Sequence, residues 1–122
     1  MKKIEATIDP FELDDVKEAL VAMGVDGMTI SEVRGLTDRG EQRMYRGVQY
    51  STDHAPKIKV EVVVRDEQVD SAVEILERAT RARRNGDDRI LVLPVEDAIR
   101  IRTGEHGTDA ICHVAVSSSR AA

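Results

Sequence analysis

The sequence predicts an α+β domain in which a four-stranded antiparallel sheet carries two helices on one face, in the order β-α-β-β-α-β. Three observations lead there. Segments with alternating apolar residues fit half-buried strands, two intervening stretches carry apolar residues at helical spacing, and the pattern occurs once in each half of the chain. A length of 122 residues also fits one hydrophobic core, which commonly occupies ~100 to 150 residues.

Ile4, Ala6 and Ile8 alternate with Lys3, Glu5 and Thr7, which is the period of a half-buried strand, and Asp9-Pro10 ends it. Leu13, Val16, Ala19, Leu20 and Met23 follow at helical spacing, with Gly24 where a helix terminator belongs. Met28 to Val33 reads as a second strand. Ile58, Val60, Val62 and Val64 alternate with Lys57, Lys59 and Glu61 to give a third. Asp66 stands where it would cap a second helix, whose core stripe is Val69, Ala72, Val73, Leu76 and Ala79. The apolar run Ile90 to Val95 supplies the fourth strand. This is the ferredoxin-like arrangement. Its second sheet face is expected to expose alternating apolar residues and therefore to need a partner. Strands two and three are joined by about 20 residues, Gly35 to Pro56, without hydrophobic periodicity. So long a connection in a small domain is expected to be a functional loop, and it holds Tyr45 and Tyr50. Ser117 to Ala122 reads as a frayed polar tail.

Composition removes several classes of function. With 41% hydrophobic and 34% charged residues the chain can build a core and stay in solution, which disfavours disorder. Phe11, Tyr45 and Tyr50 are its aromatic residues, too few for stacking platforms that bind bases or sugars. The single cysteine, Cys112, makes no intrachain disulfide. The N-terminus lacks an export signal's apolar stretch and no run approaches the ~18 residues of a membrane span, so a cytoplasmic protein is expected. A net charge of −5 argues against nucleic-acid binding. The charge is unevenly spread. Residues 34–59 carry six bases and three acids, and residues 78–102 carry seven bases and four acids. Two positive islands in an acidic chain fit either a site for a compact anion or solvated arginines on a helix and a loop.

No nucleotide P-loop, paired-histidine zinc motif or serine elbow is present, so an enzyme is not expected. His54, His106 and His113 fall in loop or tail. Adjacent Cys112 and His113 are too few to define a metal site, and none is expected. The stretch Asn85-Gly86-Asp87-Asp88-Arg89 joins a helix to a strand, and with Arg83 and Arg84 it reads either as an ordinary turn or as a glycine-containing anion loop. Arg100 and Arg102 are expected two apart on one face of an extended segment, Ile99 and Ile101 taking the other. Such a pair clamps a polyphosphate or forms a surface charge pair.

The opening Met1 to Val33, the segment Tyr45-Arg46-Gly47 with Tyr50, the strand starting Pro56-Lys57-Ile58-Lys59 and the ending Ile99-Arg100-Ile101-Arg102-Thr103-Gly104-Glu105 resemble the PII signal-transduction proteins, the nitrogen regulatory PII family. The resemblance covers about residues 1–111, leaving 112–122 as a tail. It implies a homotrimer of ferredoxin-like subunits whose open sheet faces line the trimer centre, with a nucleotide site in each cleft between subunits. It implies a T-loop at about 36–55 that reaches partner proteins, and a B-loop at about 82–89. By position, Thr29, Gly35 and Val63 would border an adenine. Gly86, Asp87 and Arg89 would hold phosphates of ATP, ADP or AMP, with Arg100 and Arg102 from the neighbouring subunit, and magnesium is left open. Tyr50 matches a tyrosine that some members present for nucleotidylation.

The chain departs from the family at its T-loop. Typical members have a Gly-Arg-Gln-Lys-Gly stretch at the start of the T-loop, whereas this chain reads Gly35-Leu36-Thr37-Asp38-Arg39-Gly40 and its loop is one residue shorter. The missing glutamine serves magnesium and 2-oxoglutarate, and Asp38 would repel a dicarboxylate, so weak or absent 2-oxoglutarate binding is expected. Arg83 and Asp88 replace B-loop glycines, and Asp88 disfavours a third phosphate. The resemblance thus implies an atypical, adenine-nucleotide-sensing trimer that controls a membrane transporter or a metabolic enzyme through its T-loop, and that associates with the membrane through such a transporter. The alternatives are a relative sensing ADP or AMP with bicarbonate in inorganic-carbon metabolism, a slow ATPase, and a scaffold that binds no nucleotide.

Overall fold

β1 (Lys2–Ile8) buries Ile4, Ala6 and Ile8 on one side, as its alternation requires. A computed structural model describes residues 1–34, 42–45, 48–51, 56–80 and 89–112, the two short central segments in their backbone alone. After β1 the order is α1 (Leu13–Ala22), β2 (Thr29–Arg34), β3 (Gln42–Tyr45), β4 (Val48–Ser51), β5 (Pro56–Val64), α2 (Val69–Thr80), β6 (Ile90–Pro94) and a single turn α3 (Thr108–Ile111). The main sheet runs β2-β5-β1-β6 with every neighbouring pair antiparallel. The fold is the expected α+β, ferredoxin-like one.

Both helices start with the same device. The Glu12 carboxylate accepts the Asp9 N–H at 2.8 Å, and the Gln68 side-chain oxygen accepts the Arg65 N–H at 2.9 Å. Each contact satisfies a donor left over by a short 3-10 turn, Pro10–Glu12 or Asp66–Gln68, that leads into the helix. Asp66 is therefore not the cap expected of it. It lies inside the turn, and its carboxylate takes the Met1 ammonium at 2.9 Å instead. α1 ends where Gly24 adopts φ 97°, a conformation open to glycine, and the Val25 N–H returns to the Leu20 carbonyl at 3.1 Å.

One core lies between sheet and helices. Ile4 and Ile8 from β1, Val16 and Leu20 from α1, Val60, Val62 and Val64 from β5, and Leu76 from α2 are sealed from solvent. Cross-strand pairs Ile4↔Val62, Ala6↔Val60 and Ile8↔Ile58 set the register, because slipping by one residue would turn this row toward water.

Two expectations change. The segment from Gly35 to Pro56 is not all loop, since β3 and β4 pair within it, Gln42↔Ser51 through Tyr45↔Val48. A short ladder is held by main-chain hydrogen bonds and forms without the apolar period of a buried strand. The open sheet face is also not apolar. Lys3 on β1 reaches Glu5 at 3.0 Å and Glu61 on β5 at 2.6 Å, and Lys59 lies 3.5 Å from Glu5. The alternating residues opposite the core are thus mainly charges in a ladder, while exposed apolar side chains collect on edge strand β6, at Leu91, Val92 and Leu93.

Candidate functional site

Among the described residues, the expected site residues fall into separate groups. Thr29 pairs with Glu61 at the start of edge strand β2. Val63, two residues beyond Glu61, pairs with Lys3 and shares the open face. The two are thus diagonal neighbours, within reach of one flat ligand group. Arg89 is exposed one residue before β6, on the opposite edge. Three strand spacings separate those edges, roughly 14 Å. Gly35, Gly86 and Asp87 lie outside the described residues, as do Asp38, Arg83 and Asp88. β4 pairs Tyr50 with Arg43, and its side chain lies outside the description, as does the tail from residue 113.

Arg100 and Arg102 do not stand on one face of an extended segment. After β6 the chain doubles back in a tight hairpin. Ile99 bridges His106, the Arg100 N–H donates to the Glu105 carbonyl at 2.8 Å, and the Gly104 N–H returns to the Arg100 carbonyl at 2.7 Å. Gly104 permits this with φ 76°. The turn Thr103-Gly104 was the signal for it, and the alternation of Arg and Ile hid that signal.

The hairpin gives its two arginines different surroundings. Arg100 is at the foot, where Nη2 donates to the Cys112 carbonyl at 3.1 Å and the Glu105 carboxylate lies 3.7 Å from Nε. That last separation is too long for a hydrogen bond, so the buried Nε–H has no partner among the described residues. Arg102 is at the tip, exposed, and among the described residues nothing pairs with it. Ile101 beside it is fully exposed. A guanidinium free of internal partners keeps its donors for an outside anion.

Asp97 closes the base of the hairpin, a feature that the sequence reading missed. Its Oδ1 accepts the Ala98 N–H at 2.9 Å and the Gly107 N–H at 3.1 Å, and Oδ2 faces His106 Nδ1 at 3.1 Å. The His106 contact, followed by these backbone donors, holds the Asp97 carboxyl below its ordinary range. On the open face, hydrogen bonds to Glu61 and then Glu5 push the Lys3 ammonium upward, and the hydrogen bond from Lys3 draws Glu5 down. No group of three or more histidines, cysteines or carboxylates gathers for a metal among the described residues. No helix of the described residues is long and apolar enough to cross a membrane.

The four-stranded antiparallel sheet with its two long helices places the chain in the class of ferredoxin-like α+β domains. The family model for nitrogen regulatory protein P-II matches residues 1–105. Curated proteins of that name are similar over most of the chain. The one from Cereibacter sphaeroides is 53% identical over 112 residues, covering 91% of this chain and 100% of its own length. Those from Pasteurella multocida and Azospirillum brasilense are 51% and 50% identical over the same spans. The chain belongs to the P-II family of nitrogen regulatory, signal-transducing proteins.

Proposed function

We propose that the chain is an adenine-nucleotide-sensing signalling protein that assembles as a homotrimer and regulates a transporter or metabolic enzyme through residues 36–55. Nitrogen regulation, named for its relatives, is the physiological setting. One observation carries the reading: Thr29 and Arg89 stand on opposite sheet edges, so two copies meeting edge to edge would bring the Thr29 of one toward the Arg89 of the other. Thr29 and Val63 would border the base, with Gly35. Arg89, Gly86 and Asp87 would meet the phosphates, and Arg100 and Arg102 would arrive from the neighbouring copy. Exposed Leu91, Val92 and Leu93 on β6 and Ile99 and Ile101 on the hairpin supply apolar surface for that assembly.

The nucleotide acts by binding one arrangement of the partner-facing segment better than another, which is what couples ligand to partner. The protein contributes no turnover in this reading. Calorimetric titration with ATP, ADP, AMP and 2-oxoglutarate, with and without magnesium and bicarbonate, tests it together with light scattering. Binding of an adenine nucleotide to a trimer is expected, with 2-oxoglutarate weak or silent. A monodisperse monomer at micromolar concentration would remove the shared site, and hydrolysis of bound ATP at a useful rate would restore the enzyme reading.

A further inference from the structure

We propose that Asp97 and His106 form a clasp that positions the arginine hairpin for an anionic ligand, a role that rests on the nucleotide reading above. The hairpin from Ile99 to His106 has one bridge pair and one turn of its own, so its orientation depends on how its two ends are fixed. A single carboxylate fixes both. On the incoming strand Asp97 takes the Ala98 N–H, and on the returning strand it takes the Gly107 N–H and the His106 ring. The Gly107 N–H also donates to the Ala98 carbonyl at 2.9 Å, and Gly107 adopts φ 66°, so the chain bends at the point where the carboxylate holds it. Arg100 leaves the same foot, three residues after Asp97.

The clasp is charge-sensitive. Asp97 and His106 are both largely exposed, so the pair is screened and contributes a modest bias rather than a lock. The contact is an ion pair when the imidazole is protonated and a neutral hydrogen bond when it is not. Among neighbouring charges, Glu105 is engaged by the Thr103 hydroxyl at 2.8 Å and lies beside Arg100, Arg102 is at the tip, and Asp109 stands on α3. Asp97 is the carboxylate that meets the ring. Affinity for a phosphate ligand is therefore tied to the protonation of a residue that does not touch the ligand.

The test is a double-mutant cycle on the full chain with Asp97→Asn, His106→Asn and the pair, plus Asp97→Ala, titrated with ADP from pH 5.5 to 8. Asp97→Asn and His106→Asn should each weaken binding about two- to five-fold at low pH, with the double variant no weaker than either. Asp97→Ala, which also takes the acceptor from the Ala98 N–H and leaves the Gly107 N–H with the Ala98 carbonyl alone, should weaken it about ten-fold. The ratio of wild-type to His106→Asn affinity cancels the ligand's own titration and should fall toward one as pH rises. Amide exchange in ligand-free protein, read at residues 98–107, should quicken in Asp97→Ala. Wild-type ADP affinity in every clasp variant, or losses that add in the double variant, would overturn the clasp and leave the nucleotide site standing. If the wild-type chain binds no nucleotide, the functional reading fails first and the clasp's role in binding fails with it.

Discussion

Replacing Arg102 by alanine should separate ligand binding from stability, because at the hairpin tip this side chain is exposed and has no partner among the described residues. Arg102 is exposed at the tip and unpaired among the described residues, so its removal should alter folding stability by less than about 0.5 kcal/mol. In the proposed site its guanidinium makes a charge-assisted hydrogen bond to phosphate, worth about 1.5–3 kcal/mol. Affinity for ADP should therefore fall roughly 10- to 150-fold. Arg100→Ala is the contrasting perturbation. It removes the donor to the Cys112 carbonyl at the hairpin foot, a contact partly open to solvent, so about 1 kcal/mol of local stability is lost along with affinity. Calorimetry with ADP and ATP, run beside thermal melts of both variants, reads the two effects apart. Wild-type affinity in Arg102→Ala, while the parent binds ADP, would refute the placement of the phosphates. A stability loss above 1 kcal/mol in Arg102→Ala would refute the claim that its side chain stands free.

Leu76→Ala should cost about 2–5 kcal/mol in urea unfolding without changing the m-value, because Leu76 is sealed between α2 and the sheet. Lys3→Met should flatten the alkaline limb of the stability profile. The raised Lys3 pKa contributes stability that is complete below the ordinary lysine value of 10.5 and is lost as pH rises through the higher folded value, so parent and variant profiles should converge only above that range. The lowered Glu5 and Asp66 act oppositely, contributing above the ordinary carboxyl values of 4.5 and 3.8 and losing that contribution as pH falls through the folded values. Leu93→Asp on edge strand β6 should shift light scattering from trimer to monomer if that strand's exposed apolar side chains are covered in the assembly, while leaving the helical circular dichroism unchanged.

By itself the sequence determined the order of the main elements and the buried face of β1, α1, β5 and α2. Alternation in β1 and β5 and the helical stripes of α1 and α2 are short-range patterns with fixed periods, and burying them leaves little choice of register. Gly24 was legible for a similarly local reason, since few other residues accept its backbone angle at the end of α1. The family, too, was legible in linear motifs.

Tertiary structure decided what has no period. Whether Asp66 caps a helix or receives the Met1 ammonium depends on β1 lying beside the start of α2, 65 residues away in sequence. The charges of the open face sort into pairs only once β1 and β5 are in register, which is why an apolar face was expected where a Lys-Glu ladder stands. Arg100 and Arg102 read as twins by spacing and became unlike through the turn at Gly104, one tied to the foot and the other left at the tip. Asp97 and His106, nine residues apart, acquired their contact from the same turn. Polar side chains find partners by proximity in space, and a fold brings together residues that no local pattern marks as neighbours.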